Sequence, residues 1–315
     1  DGYSAADQAR LNGFLDTAAR IEALGGDAGG QAPRDAIKLF QTPSQLRGFE
    51  TGAGHDLGGW SISDAGLVPA SWLPMDALSE VDSIDVSQFD WEIFEGHYVR
   101  QGRPLLVRGG AQYDDGIRRC YTREGLLDVA GQRLIHAFNL PYADDLCNHR
   151  PTVKTIREYV TFLDTRLRSA PEKNLSYVFI ELPEGEQRLD FASTLPEAFH
   201  GRVRQLSTQF TLGGVLMGSP MHHHIHAVNS LMHGRKLWFF KPPAQQEFRK
   251  TVIYEDLVNS RGAPGVARCI QEAGDLLFVP SGWVHGAICL CDCIGVAHEF
   301  ELIEPEFDDF ADTFR

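Results

Sequence analysis

The sequence of 315 residues has no apolar run that approaches the roughly 20 residues required to cross a bilayer, so we expect no membrane span. Positive charge is also scarce: 29 Lys and Arg residues stand against 43 Asp and Glu residues, a net charge of −14. This charge repels phosphate backbones and anionic lipid, which argues against nucleic acid and favours a neutral or basic peptide as partner. With 43% hydrophobic and 23% charged residues, the composition excludes disorder, collagen and coiled coil.

Cysteine is sparse, and the six residues are an even number that is compatible with disulfides. The segment Asn174-Leu175-Ser176 is a glycosylation sequon. Both features fit the lumen of the secretory pathway or secretion, which we favour over the cytoplasm. Because the chain begins at Asp1 rather than Met, we expect a trimmed chain or one that has lost a targeting peptide. The cysteines are Cys120, Cys147, Cys269, Cys289, Cys291 and Cys293.

Composition divides the chain into three parts. Residues 1–80 are predicted to form a helical and irregular N-terminal extension, because helical periodicity in its first part gives way to Gly, Asp, Ser and Pro. Residues 81–303 are predicted to form the globular domain. Residues 304–315 are an acidic tail.

Within the domain, short apolar segments alternate with Gly, Pro and Asp turns at about 206–303, which favours an antiparallel sandwich or barrel core. Upstream lie an entry strand at 104–109 and helical stretches around 122–130 and 152–165. The predicted fold class is therefore mainly β with helical decorations (α+β). The predicted core strands are Leu206–Leu216, Met221–Leu231, Lys236–Phe240, Leu276–Val279, Val284–Leu290 and Ile294–Leu302.

Histidine is concentrated in the segment Met221-His222-His223-His224-Ile225-His226. In a continuous strand the side chains of His222, His224 and His226 would share one face. A His-x-His pair completed by a histidine from another strand is how small β-barrels hold a metal ion with open coordination positions. His285 is the natural third ligand, because it opens a strand that follows a Pro-Ser-Gly turn.

Four ordered blocks resemble the Jumonji-C (cupin-like) family of oxygenases over roughly residues 85–303. The resemblance implies a double-stranded β-helix (cupin or jelly-roll) that binds iron(II) and 2-oxoglutarate. It also implies that O₂ activation drives hydroxylation or oxidative demethylation of a protein or peptide side chain, or of a small molecule. The blocks are Gly102-Arg103-Pro104-Leu105-Leu106-Val107-Arg108-Gly109, Gly218-Ser219-Pro220-Met221-His222-His223-His224, Gly234-Arg235-Lys236-Leu237-Trp238-Phe239-Phe240-Lys241-Pro242-Pro243, and the segment from Gly274-Asp275 to Trp283-Val284-His285.

Carried over by position, the resemblance makes His222 the first metal ligand and His285 the distal one. Lys236 matches the lysine that pairs with the distal carboxylate of 2-oxoglutarate, and an ammonium in an apolar barrel does need an anionic partner. Ser219 falls where a threonine hydroxyl often supports the same carboxylate, and Tyr177 would add a further hydroxyl. The alternative for Lys236 is a solvated strand lysine.

The chain departs from the family at the second ligand, where His224 replaces the usual Asp or Glu of a His-x-Asp motif. A small branch, typified by a lumenal Jumonji-C protein of the secretory pathway, also carries His-x-His, and this sequence resembles that branch most. Imidazole in place of a carboxylate leaves the site one unit more positive and softer, so copper, nickel and zinc compete with iron. A shifted assignment, in which His224 and His226 rather than His222 and His224 are the His-x-His ligand pair, stays open. Both assignments give a three-histidine site.

Two other functions stay open from the sequence. One is a catalytically silent Jumonji-like fold that acts as a protein-binding module, which would also explain the altered ligand set. The other is a 2-oxoglutarate-independent three-histidine oxygenase with iron or copper. Lys236 argues against the latter, because such an enzyme needs no cation at that position.

A second motif is Cys289-Leu290-Cys291-Asp292-Cys293. In a continuous strand its sulfurs would share one face, which indicates a soft-metal or redox feature. A disulfide or free thiols are the plainer interpretation, because cysteine is also a small buried hydrophobe.

Overall fold

The computed structural model describes residues 56–63, 67–68, 81–139, 152–166, 175–181, 189–243 and 266–303. The predicted N-terminal helix, most of the predicted extension, the acidic tail, Cys147 and Asn174 of the sequon lie outside the described residues. The domain boundaries inferred from composition therefore stay a prediction. None of the helices in the described ranges is long and apolar enough to cross a membrane.

β-Strands dominate the described chain, as the alternation of apolar residues and turns predicts. The strands are β1 (Asp82–Asp85), β2 (Leu105–Arg108), β3 (Leu134–Asn139), β4 (Thr152–Thr155), β5 (Ser176–Glu181), β6 (Val203–Gly213), β7 (Gly218–His222), β8 (Ala227–His233), β9 (Arg235–Lys241), β10 (Ala267–Glu272), β11 (Leu276–Val279), β12 (Val284–Cys289) and β13 (Cys293–Leu302).

These strands form two sheets that pack face to face. The larger sheet has nine strands in the order β1-β2-β11-β8-β13-β6-β5-β3-β4, and the smaller has four in the order β10-β9-β12-β7. Trp238 and Phe240 of the small sheet share one apolar cluster with Leu106 and Leu277 of the large sheet. This arrangement confirms the predicted mainly β fold with a cupin or jelly-roll core.

Short helices cover the large sheet. Helix α2 begins where the Asp114 carboxylate accepts the N–H of Ile117, and α3 begins where the Thr122 hydroxyl accepts the N–H of Gly125. The α-helices are α1 (Trp91–Ile93), α2 (Asp115–Cys120), α3 (Arg123–Ala130) and α4 (Ile156–Arg166). A π-helical turn continues α1 at Phe94–Val99, and 3-10 turns lie at Val86–Gln88, Asp190–Ser193 and Glu197–Phe199.

Two predicted elements differ from the structure. The predicted strand Met221–Leu231 is interrupted, because β7 lies in the small sheet and β8 in the large one, and residues 223–226 cross between them. The predicted helix at 152–165 begins with strand β4, which pairs antiparallel with β3 before α4 starts. The large sheet also includes β1 to β5, which precede the core range predicted at 206–303.

The register between β9 and β12 decides which side chains face the space between the sheets, here called the lumen. Lys236 pairs with Cys289, and Phe240 pairs with His285. Directly paired residues share one face of a sheet. The rings of Trp238 and Phe240 lie 6.1 and 6.4 Å from the ring of His285. Lys236, Cys289 and His285 therefore all face the lumen.

An aromatic cluster packs the α1 segment against the large sheet and provides a test of the fold. The ring of Phe94, which is 1% exposed, lies 5.0 Å from Phe278 and 5.6 Å from Phe199. Phe94→Ala would leave a cavity, so we expect the free energy of unfolding to fall by about 3–5 kcal/mol in urea denaturation. Leu134→Ala, at a side chain that is 57% exposed, should change it by less than about 0.5 kcal/mol. Equal losses in the two variants would contradict this packing.

Candidate metal centre

Three histidines converge at one end of the lumen. His222 ends β7, His224 follows in the loop to β8, and His285 is in β12, where it pairs directly with His222. The ring centroids of His222 and His224 lie 4.3 and 4.5 Å from that of His285. Their ligand atoms all lie within 4.8 Å of one another, the one set of three or more such groups within the described ranges.

Backbone carbonyl groups orient the three imidazoles through Nδ1. A carbonyl oxygen can only accept, so each Nδ1 carries the hydrogen and each Nε2 is the unprotonated nitrogen that can coordinate a metal ion. The Nδ1 to oxygen distances are 2.7 Å for His222 and Pro220, 2.6 Å for His224 and Ile225, and 2.9 Å for His285 and Trp283.

Burial keeps these imidazoles neutral. Burial and the neighbouring His224 lower the pKa of His222 to about 4. Burial, followed by repulsion from His222 and His224, holds the pKa of His285 well below its usual value. The pKa of His224 is also lowered by burial, against the hydrogen bond to Ile225 and the charge of Glu299. The three side chains are thus in the neutral form that metal binding requires.

The Pro-Ser-Gly turn predicted from the sequence holds the histidine loop in place. The N–H of Gly282 donates to the carbonyl oxygen of His224 at 3.0 Å, and the N–H of Ser281 donates to Nδ1 of His226 at 3.1 Å. Gly282 has a φ of +76°, which would strain any residue with a side chain. One turn therefore leads into the strand of His285 and fixes the loop of His224.

His226, the alternative ligand, lies outside the convergent set. Its ring centroid is 5.8 Å from the rings of both Phe278 and Phe300, and its Nδ1 accepts the bond from the turn. The structure thus brings His222 and His224, and not His226, to His285.

Lys236 is deep in the lumen, with 1% of its surface exposed, which excludes a solvated strand lysine. Its Nζ donates to Oγ1 of Thr211 at 3.1 Å, and the Thr211 hydroxyl donates to the carbonyl oxygen of Gly295 at 3.2 Å. The buried Tyr177 hydroxyl is also hydrogen-bonded to Thr211. Two of the three predicted cosubstrate residues therefore meet at one hydroxyl.

Ser219, the third predicted cosubstrate residue, is buried on β7 opposite Ala287, and within the described ranges Lys236 donates to Thr211 rather than to Ser219. Two buried polar residues were missed, Thr211 on β6 and Asn229 on β8. Oδ1 of Asn229 has no hydrogen-bond partner among the described residues, which marks a place for a bound polar group. The only sequence signal for either is a polar side chain within an apolar strand.

A carboxylate lies near the histidines, although it is not part of the convergent set. Oε2 of Glu299 accepts from the hydroxyl of Ser207 at 2.9 Å, and Oε1 accepts from the side-chain amide of Gln209 at 3.2 Å. Glu299 pairs with Ala227, the first residue after the histidine loop, and its charge acts on His224. It therefore adds negative charge beside three neutral ligands.

The groups present fit a divalent transition metal and an organic anion. Three imidazole nitrogens leave coordination positions open, which is typical of a catalytic rather than a structural site. The buried ammonium of Lys236 fits a carboxylate, since a charge removed from water requires a charged partner.

Comparisons with known proteins agree with this geometry. The family model "JmjC domain, hydroxylase" matches residues 259–300, which include His285 but not His222 or His224. Arginine-specific demethylase JMJ20 of Arabidopsis thaliana is 32% identical over 104 residues, which are 28% of this chain and 22% of that protein. The 2-oxoglutarate and iron-dependent oxygenase JMJD4 is 32% identical over 82 residues in Gallus gallus and 33% identical over 81 residues in Danio rerio.

Both JMJD4 matches cover 21% of this chain and 19% of the relative, so the chain spans only 19–22% of the length of these curated relatives. The family-model match agrees with the two-sheet fold and includes the motif around His285. These similarities, together with the two-sheet fold, support a relation of this chain to the JmjC family of cupin-like oxygenases.

Proposed function

We propose that this chain is a mononuclear metal-dependent and 2-oxoglutarate-dependent oxygenase of the hydroxylase type. The observation that carries the proposal is the convergence of His222, His224 and His285 in a lumen that also holds the buried Lys236. The names of the JMJD4 relatives describe 2-oxoglutarate and iron-dependent oxygenases, which supports the same chemistry here.

Iron(II) is the metal that we propose for the three imidazoles. When bound, iron(II) and 2-oxoglutarate supply the activation of O₂, with two electrons from the cosubstrate. The protein contributes the fixed Nε2 atoms of His222, His224 and His285. Because an all-nitrogen set also suits copper, nickel and zinc, these metals are expected to compete for the site.

The proposed role of Lys236 is to bind the distal carboxylate of 2-oxoglutarate. A charge-assisted hydrogen bond from an ammonium is stronger than one between neutral groups. Thr211 holds Nζ in place, and Tyr177 and Ser219 are proposed to add hydroxyl groups to the same pocket.

Apolar side chains are proposed to keep water out of this centre. Trp238 and Phe240 are 5% and 0% exposed, and both rings lie beside His285. A dry lumen strengthens every electrostatic contact in it and limits side reactions.

The proposed substrate is a side chain of a protein or peptide, or a small molecule. The net charge of −14 favours a neutral or basic peptide over nucleic acid. The relative named arginine-specific demethylase is consistent with a basic substrate. On the His-x-His pair and the sequon, we also propose membership of the lumenal branch and a secretory or secreted location.

One observation favours a second function. The convergent set contains His224 and no carboxylate, as expected of a JmjC-like fold that has lost turnover and serves as a protein-binding module. The buried Lys236 argues against the further alternative of a 2-oxoglutarate-independent oxygenase. Iron-dependent decarboxylation of 2-oxoglutarate by the unaltered protein, compared with variants of His224, separates the first two functions.

Replacing Lys236 tests the cosubstrate pocket. In Lys236→Ala the carboxylate loses its charged donor, and a hydrogen bond to a charged group contributes roughly 1.5–3 kcal/mol. We therefore expect the Kd of 2-oxoglutarate to rise about ten- to hundredfold. Isothermal titration calorimetry of the Mn²⁺-loaded protein measures this change without turnover.

Lys241→Ala is the matched control, because Lys241 is on the same strand but on the opposite face from Lys236. This variant should bind 2-oxoglutarate as the unaltered protein does. Unchanged affinity in Lys236→Ala would mean that the cosubstrate binds elsewhere.

A further inference from the structure

The cysteine motif is divided between the two sheets. Cys289 ends β12 in the small sheet, Cys293 begins β13 in the large sheet, and Cys291 is in the turn between them, so the three are not on one continuous strand. All three are free and buried. The structure therefore fits free thiols, one of the two plainer interpretations of the motif.

Glu299 on β13 is a charged group of the lumen that the proposed oxygenase chemistry does not use. Lys236 donates to Thr211, so the face of β6 that carries Thr211 lines the lumen. Side chains two residues apart on a strand share a face, which places Gln209 and Ser207 on the same wall. Ser207 pairs directly with Glu299, and paired residues share one face of a sheet. The side chain of Glu299 therefore faces the lumen.

Glu299 lies at the histidine end of the lumen, whereas Lys236 lies farther along it. Glu299 pairs with Ala227, the first residue after the histidine loop, and the N–H of Phe300 donates to the carbonyl oxygen of His226 at 2.9 Å. The threonine that holds Lys236 is four residues farther along β6, or about 13 Å. The lumen thus has a negative charge beside the histidines and a positive charge at its other end.

The histidine end is the more open of the two. Glu299, Ser207 and Gln209 are partly exposed, whereas Lys236 and Thr211 are 1% and 2% exposed. A substrate that approaches the histidines from solvent therefore meets Glu299, and the proposed partner of the cosubstrate lies deeper.

The hydrogen bonds of Glu299 leave its charge without a counterion. Oε2 accepts from the hydroxyl of Ser207 at 2.9 Å and Oε1 from the side-chain amide of Gln209 at 3.2 Å, and both donors are neutral. Among the described residues no Lys, Arg or His forms an ion pair with Glu299. Each oxygen keeps an acceptor position, since an ionised carboxylate has about four such positions. A cation would stabilise this partly buried carboxylate.

A guanidinium group fits the two acceptor positions better than an ammonium group. Its planar fork donates two parallel N–H bonds to the two oxygens of one carboxylate. It is also more weakly hydrated, so it loses less free energy on entering a partly buried site.

We propose that Glu299 binds the guanidinium group of an arginine side chain beside the metal centre and is the residue that determines substrate specificity. The contact with guanidinium follows from the lumen alone. The identification of that arginine as the substrate rests on the proposed function.

Titration of the metal-free protein tests the contact without any activity. The probes are N-acetyl-arginine methylamide and N-acetyl-citrulline methylamide, in which a neutral urea of nearly the same shape replaces guanidinium. A hydrogen bond between charged groups is stronger than one to a neutral group, so we expect the Kd of the arginine probe to be roughly tenfold lower. Saturation-transfer NMR measures both values. Equal Kd values, or equally tight binding of N-acetyl-lysine methylamide, would overturn the proposal.

Two variants locate the contact. Glu299→Gln keeps the length of the side chain but removes its charge, so it should bind the arginine and citrulline probes equally. Glu301→Gln is the matched control, because Glu301 is on the same strand but is exposed and ion-paired with Arg204; it should keep the preference for arginine. Circular dichroism melts compare the folding of the variants. A preference for arginine that survives in Glu299→Gln would overturn the assignment.

Paramagnetic relaxation by Mn²⁺ places the bound probe relative to the histidines. In the Mn²⁺-loaded protein, the probe protons next to the guanidinium group should relax faster than those of its acetyl group, and the reverse order would overturn the placement. Binding of Mn²⁺ and 2-oxoglutarate without a preference for arginine would overturn the role of Glu299 alone. A preference that depends on Glu299 in a protein that binds neither would support the guanidinium contact and overturn the proposed function.

Discussion

His285→Ala is expected to reduce the affinity for a divalent metal by more than about 100-fold, since loss of even an outer-shell partner of a metal ligand costs 10–100-fold. The variant removes one of three convergent nitrogens, and its ring is the one that lies against both His222 and His224. The two imidazoles that remain provide only two of the three coordinating nitrogens. Elemental analysis after equilibrium dialysis against iron(II) under argon measures the loss.

His226→Ala provides the contrast, because His226 is in the same loop as His224 but outside the convergent set. It should retain about one metal ion per chain if the ligands are assigned correctly. Circular dichroism melts of both variants without metal check that they fold. Loss of metal in both variants would favour the shifted pair His224 and His226, and retention of metal in His285→Ala would contradict the assignment of the distal ligand.

His224→Asp is expected to raise iron-dependent decarboxylation of 2-oxoglutarate at least about tenfold, which corresponds to about 1.4 kcal/mol of barrier. A carboxylate ligand removes one unit of positive charge from the site and is a harder donor than imidazole, so it favours iron over copper. Glu299 supplies negative charge close to His224, but it is not part of the ligand set. Release of carbon dioxide in the presence of iron(II) and O₂ measures the gain.

His224→Asn is the matched control for shape, because asparagine is nearly isosteric with aspartate but has no charge. It should show no gain. His224→Glu covers the case in which aspartate is too short to reach the metal from the loop. Decarboxylation by the unaltered protein would support the oxygenase function. No turnover by the unaltered protein and no gain in either acidic variant, with metal still bound, would contradict it and favour the protein-binding module.

The core strands were predictable because they follow local rules. Each of the six strands predicted between Leu206 and Leu302 has a counterpart, since apolar runs and Gly, Pro and Asp turns mark strands directly. The break at 223–226 was not predictable, because alternation of side chains does not reveal which sheet a strand joins. Strand β4 was missed for a related reason: its pairing with β3 outweighs the helical pattern that continues into α4.

The site was predictable where it depends on spacing along the chain. The sequence placed His222, His224 and His285 together, and the structure brings them together; their role as metal ligands stays a prediction. Thr211 was missed because its contact with Lys236 joins two strands in different sheets. Contacts of this kind depend on how two sheets pack against each other. The sequence pattern of a single strand does not reveal that packing.

Titration of the protein with iron(II) and then with 2-oxoglutarate, without oxygen, tests the proposed centre most directly. Three converged imidazoles and a buried Lys236 predict one iron per chain and an optical change that saturates at one 2-oxoglutarate per iron. The change should be lost in His285→Ala and should require far more 2-oxoglutarate in Lys236→Ala. Absence of bound iron, or bound iron whose spectrum does not respond to 2-oxoglutarate, would contradict a 2-oxoglutarate-dependent oxygenase.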